Sequence, residues 1–204
     1  MVKVNVIKFD VDWLDIKNLC RKTISMADSS IEPNSTWKRK LLIAEHSPLR
    51  HSLITIEIND IPFYVMGHLV RHHIGVTPYV TTSREDRTNI PRDERKQTDL
   101  VSMRMDLNIQ SLINISRKRL CNQADKTTQI VWLEVIKEIA KYDADIAWAC
   151  VSECIRTGGC PEKFGNCKFF ESFAKNLSKE ELIDVEVRYD VYARKRKLET
   201  NRTI

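Results

Sequence analysis

The chain has 204 residues, 42% of them apolar and 30% Asp, Glu, Lys or Arg, with five Gly and six Pro. That length suits one domain with a sizeable core, and the composition excludes collagen-like, low-complexity and wholly disordered chains. Thirty-three basic against 28 acidic residues leave a formal net charge of +5, which fits an anionic ligand but is too small to require a nucleic acid.

Residues 2–9 (VKVNVIKF) alternate apolar and polar side chains and predict a strand. This is not the pattern of a secretory signal, and no apolar run reaches the ~18 residues of a membrane span, so a cytoplasmic protein without membrane contact is expected. The spacing of Trp13, Leu14, Ile16, Leu19, Cys20 and Ile24 predicts a helix over 13–27. Residues 28–35, with Ser29, Ser30, Pro33 and Asn34, read as a loop. A short helix through Trp37, Leu41, Leu42 and Ile43 should stop before Pro48. Ile54, Ile56 and Ile58 alternate with Thr55 and Glu57, which makes this the clearest strand. Asn59-Asp60 predicts a turn, with Asp60 capping a helix that has Pro62 in its first turn and runs on to His73.

The polar region 81–99 predicts a loop ordered around a ligand. One long helix is expected from about Asn108 to Tyr142, and another through Ile146, Trp148 and Val151 up to the Gly158-Gly159 break. Alternating Val185, Val187, Tyr189 and Val191 predict a closing strand, followed by a basic, solvated tail over about 194–204. The reading is a single domain over 1–204 of the α+β class, a sheet flanked by helices.

The densest chemistry is HLVRHH, with His68, Arg71, His72 and His73. His68 and His72 share a helix face, as in two-histidine metal sites, but the segment has no acidic residue and no metal is expected. The plain alternative is a polar helix end whose cations meet the negative pole of the macrodipole. The six cysteines are expected to be reduced thiols. Cys150, Cys154, Cys160 and Cys167 crowd together without a C-x2-C pair, so the zinc or iron–sulfur signal is weak and they read as buried or idle. No glycine-rich loop joins a strand to a helix, so any phosphate must be held by side chains, and arginine's planar fork suits that task.

His46-Ser47-Pro48-Leu49-Arg50-His51, then a strand, then a helix ending Arg71-His72-His73, resembles the flavin-dependent thymidylate synthases. Thr82-Ser83-Arg84 is similar to the family's Ser-x-Arg element, and Asn108-Ile-Gln-Ser-Leu-Ile-Asn114 with Arg119 is similar to its Asn-bearing helix. Cys154 to Cys167 also resembles a cysteine-bearing tail of some members. Two positions differ: His73 stands where the family has arginine, and Thr77-Pro78-Tyr79 replaces its Asn-Glu pair. The likeness points to a compact, divergent branch in which Arg87 or Arg92 stands in for a further family arginine.

The resemblance implies FAD contacts from Ser25, His46, Ser47, Arg71, His72, His73, Asn108 and Asn114. It implies deoxyuridylate contacts from His68, Thr82, Arg84 and Arg119, with Arg119 and Thr82 closest to the chemistry. Arg119 would lie at the uracil edge and Arg84 at the phosphate, with no cysteine nucleophile. NADPH and methylenetetrahydrofolate are implied as co-substrates, and a homotetramer with sites between subunits as the assembly. Two other readings stay open: a related flavoenzyme modifying another pyrimidine nucleotide, and a flavin or nucleotide binder without catalysis.

Overall fold

The computed structural model describes residues 2–165 and 167–200, side chains of 197–200 excepted. It is an α+β fold with a four-stranded antiparallel sheet, β1 (Lys3–Asp10), β2 (Leu53–Pro62), β3 (Val76–Val80) and β4 (Leu100–Leu107), in the order β1-β2-β4-β3. The helices are α1 (Trp13–Lys22), α2 (Ser35–Ala44), α3 (Phe63–Leu69), α4 (Glu85–Thr88), α5 (Ile109–Arg119), α6 (Lys126–Ala140), α7 (Ala144–Ala149), α8 (Glu153–Thr157), α9 (Phe169–Ala174), α10 (Lys179–Ile183) and α11 (Val185–Thr200). None of the described helices is long and apolar enough to cross a membrane.

The two central strands explain the sheet. Ile54, Ile56 and Ile58 of β2 stand opposite Leu107, Met105 and Met103 of β4, and all six are buried on the helix-covered face. Cross-strand apolar pairs of this kind are the unit of sheet stability. The opposite face pairs polar groups: the Thr55 hydroxyl donates to Asp106 at 2.7 Å, and Arg104 donates to Glu57 at 3.1 Å. Val131, Trp132, Val135, Ile136 and Ile139 of α6 complete the core. The indole N–H of Trp132 donates to Ser116 Oγ at 2.9 Å, which keeps this buried polar pair satisfied.

Several predicted elements change. Asn59-Asp60 does not end β2; Asp60, at φ +60°, sits in a bulge and the strand continues to Pro62, which replaces Asp60 as the residue ahead of α3. α3 stops at Leu69, so Arg71, His72 and His73 lie beyond the helix. β3 is not among the expected elements; its Pro78 is tolerated because β3 is an edge. The long helix from 108 is two, since Asp125 opens a new one by accepting from the Thr128 N–H at 2.8 Å. The helix through Ile146 and Trp148 likewise breaks after Ala149 into α7 and α8.

The closing strand is instead the helix α11. Its described buried residues are Arg188, Tyr189 and Tyr192, which follow a helical period and not the two-residue alternation of the valines. The Arg188 guanidinium donates to the Ile155 and Arg156 carbonyls at 2.8 Å each. The basic tail is also corrected through residue 196: it is helical, and Arg196 donates to the carbonyls of Cys150 and Ala147. Residues 201–204 and the Lys197 side chain lie outside the described residues.

Candidate active site

α3 and α5 run so that their C-terminal ends meet. Leu112, Ile113, Ile115 and Ser116 anchor α5 in the core, and its last turn carries Arg117, Lys118 and Arg119. Arg119 donates through Nε to His72 Nε2 at 2.9 Å and through its terminal nitrogen to the His68 carbonyl. His72 therefore accepts and is neutral at this nitrogen. Burial first, and then the charges of Arg119, His73 and Lys118, push the imidazole pKa down to about 4. Burial and the nearby Arg71 also lower the Arg119 pKa, but a guanidinium stays charged. Among the described residues Arg119 meets no carboxylate; its partners are a ring nitrogen and a carbonyl.

His68 joins this end through a relay. Its Nδ1 lies 2.8 Å from Thr128 Oγ1, and that hydroxyl donates to Asp125 at 2.9 Å. The single hydroxyl proton is committed to the carboxylate, so His68 donates from Nδ1 and presents Nε2 as its free ring nitrogen. Tyr64 packs edge-on against the ring at 5.9 Å between centroids.

The other residues singled out from the sequence fall elsewhere. His46 and Ser47 are exposed and line a groove of about 440 Å³ with Ile24, Trp37 and Lys40. Ser25 is the next residue along, in a left-handed turn at φ +59°. Thr82 lines a larger cavity of about 680 Å³ with Phe63, Ser83, Arg95 and Leu100. Arg84 is exposed and paired with Asp86 at 2.6 and 2.9 Å. Asn108 caps α5, accepting from the Ser111 N–H at 2.9 Å, while Ser111 Oγ reaches the Ile74 and Gly75 carbonyls at 3.0 Å each. Asn114 is exposed on α5, accepting from Gln110 and Arg117. His73 is exposed beside the Arg71 carbonyl, 3.1 Å away.

One chain thus brings together Arg71, His72, His73, His68 and Arg119. It places Thr82, Arg119 and the His46–Ser47 pair in three separate cavities. One available arginine gains a definite place, and one group was not singled out from the sequence at all. Arg95 has a buried Nε without a partner in the cavity beside Thr82, which Arg92 also lines and Arg87 does not. Glu45 ties α2 to α5 by accepting from Gln110 at 2.6 Å and pairing with Arg117. No local spacing announces either one.

No family model matches the sequence, and no curated protein is detectably similar to it. Solved structures do share its fold. The flavin-dependent thymidylate synthase ThyX from Helicobacter pylori, complexed with FAD and dUMP, is 15% identical with a TM-score of 0.59, covering 74% of this chain and 100% of that one. The UMP/dUMP methylase PolB from Streptomyces cacaoi, bound with 5-Br dUMP, is 12% identical with a TM-score of 0.58, covering 73% of this chain and 94% of that one. The fold is therefore that of the flavin-dependent thymidylate synthases.

Proposed function

We propose that this chain, with its thymidylate synthase-like fold, is an FAD-dependent methyltransferase acting at C5 of a uridine monophosphate nucleotide, with deoxyuridylate as the favoured substrate. The carrying observation is the Arg119–His72 pair beside Arg71, a guanidinium held by neutral partners and left without a carboxylate. Such a group suits the edge of a pyrimidine ring that gathers negative charge during attack from C5. The residues present also fit a flavin dinucleotide. Exposed Arg71 and His73 suit its diphosphate, and the groove of Trp37, His46 and Ser47 suits a flat ring. Bound FAD, reduced by NADPH, would supply the redox equivalents that turn a methylene from methylenetetrahydrofolate into a methyl group.

The chain's own residues then have distinct tasks. Arg119 binds and orients the ring and offsets charge on it. His72 holds the Arg119 fork as a neutral acceptor, and His68, with Nδ1 committed to Thr128, offers Nε2 to a polar substrate edge. Arg92 and Arg95, which line the cavity of Thr82, and Arg84, whose backbone N–H donates to the Thr82 hydroxyl, suit a phosphate. Because these groups line separate cavities of one chain, we place the complete site between copies in a homotetramer. A second reading, methylation of UMP or another pyrimidine nucleotide, is favoured by Thr77-Pro78-Tyr79, which builds the edge strand β3 instead of an Asn-Glu loop.

The test is anaerobic incubation of the protein with FAD, NADPH, methylenetetrahydrofolate and either dUMP or UMP, followed by nucleotide analysis. Thymidylate from dUMP supports the first reading, and methylated UMP alone supports the second. FAD and nucleotide binding without any methylated product would reduce the protein to a binder.

A further inference from the structure

Cys121 follows the C-terminal end of α5, Cys154 lies in α8, and Cys160 and Cys167 lie on the irregular stretch before α9. All four line one cavity of about 380 Å³, together with Lys118, Arg119, Glu153 and Glu162. The set differs from the cysteine run visible in the sequence. Cys150 is fully buried elsewhere, its thiol pushed up to about 11 by burial and hydrogen-bonded with Ser116, while Cys121 arrives from 33 positions before Cys154.

We propose that Cys121, Cys154, Cys160 and Cys167 form a four-thiolate site for one zinc ion, a structural clasp on the segment between α8 and α9. Four thiols and no imidazole or carboxylate of their own set select a soft ion. Zinc closes such a set tetrahedrally without added inorganic sulfide or an electron partner. The step balances simply: four S–H groups lose four protons, four Zn–S bonds form, and nothing is oxidised. The resulting double negative charge lies against Lys118 on the same wall.

The segment that zinc would hold also needs holding. Residues 158–165 form neither helix nor strand, and Phe164 is fully exposed, so apolar burial does not anchor this stretch. Among the described residues no three His, Cys, Asp or Glu side chains already stand as a ligand set. Closure therefore requires the four thiols to draw together within the cavity, and Cys160 and Cys167 lie outside regular structure.

Metal analysis of the full chain purified without chelators tests this. About one zinc per chain is expected, with the four thiols unreactive until zinc is stripped. Replacement by cobalt should produce an intense thiolate-to-metal charge-transfer band and tetrahedral d–d bands. Cys121→Ser and Cys167→Ser should each reduce bound zinc by tenfold or more, whereas Cys20→Ser should leave it unchanged. Iron with acid-labile sulfide, disulfides among the four, or metal-free protein with four reactive thiols would each overturn the proposal. None of these readouts depends on methyltransferase activity.

Discussion

The two ends of α5 hold similar polar residues and do opposite things. At its start, Asn108, Ser111 and the carbonyls of Ile74 and Gly75 satisfy one another, and Gly75 sits at φ +67°. At its finish, Arg119 is partly buried among other cations and has a ring nitrogen and a carbonyl as partners. The first arrangement closes on itself and stabilises the fold. The second leaves charge uncompensated, which a protein tolerates where a ligand supplies the missing anion.

The sharpest way to break this contrast is Arg119→Lys. Lysine keeps the charge but loses the fork that meets His72 and the His68 carbonyl together. Charge-assisted hydrogen bonds contribute about 1.5–3 kcal/mol, so nucleotide affinity or turnover should fall roughly ten- to hundredfold. Thermal stability should change little. Steady-state kinetics beside a melting curve separate the two, and unchanged kinetics would remove Arg119 from the site.

Gly75→Ala should do the reverse. A Cβ there would stand 2.5 Å from Ser111 Oγ on a backbone at φ +67°, so about 2 kcal/mol of stability should be lost. Denaturant titration measures it; a stable variant with impaired flavin binding would make this end functional.

Asn108→Ala sharpens the comparison at the same end. Loss of the cap should cost about 1 kcal/mol. If Asn108 only caps, FAD affinity measured by fluorescence quenching stays as it was. A tenfold weakening with little loss of stability would restore the flavin contact implied by the resemblance.

The smallest effect is a pH dependence at the other end. His72 has a pKa of about 4 in the fold against 6.5 ordinarily, so on acidification the unfolded chain takes up this proton first. The stability of the neutral pair with Arg119 is full above about pH 6.5, is lost progressively as pH falls to about 4, and drops no further below that. After allowance for screening by solvent the loss is about 1 kcal/mol. His72→Gln keeps an acceptor but cannot titrate, and should flatten this part of a stability–pH curve. Identical curves for the two proteins would show that His72 is not buried against Arg119.

Residues with a strong local pattern were read correctly. The alternation of Ile54, Ile56 and Ile58 marks β2, whereas Asn34, read as part of a loop, caps α2 by accepting from the Trp37 N–H at 2.9 Å. β4 is legible in the same way from Val101, Met103, Met105 and Leu107, but it falls between the polar loop 81–99 and the helix expected from Asn108, and neither reading covered it. Val185 to Val191 shows the converse failure. Four alternating apolar residues looked like a strand, yet the deciding residue was Arg188, whose burial depends on carbonyls 32 and 33 positions away.

The sequence by itself determined the α+β class, the main strand and the supply of cations and thiols, because periodicity acts between residues a few positions apart. Only the tertiary structure decided which of those groups meet. It set Arg119 against His72 across 47 positions, put Arg95 rather than Arg87 beside Thr82, and exchanged Cys150 for Cys121 around the thiol cavity. Such meetings depend on how the ends of packed helices fall together over the sheet. Burial of the shared core sets that geometry, and no short stretch of sequence encodes it.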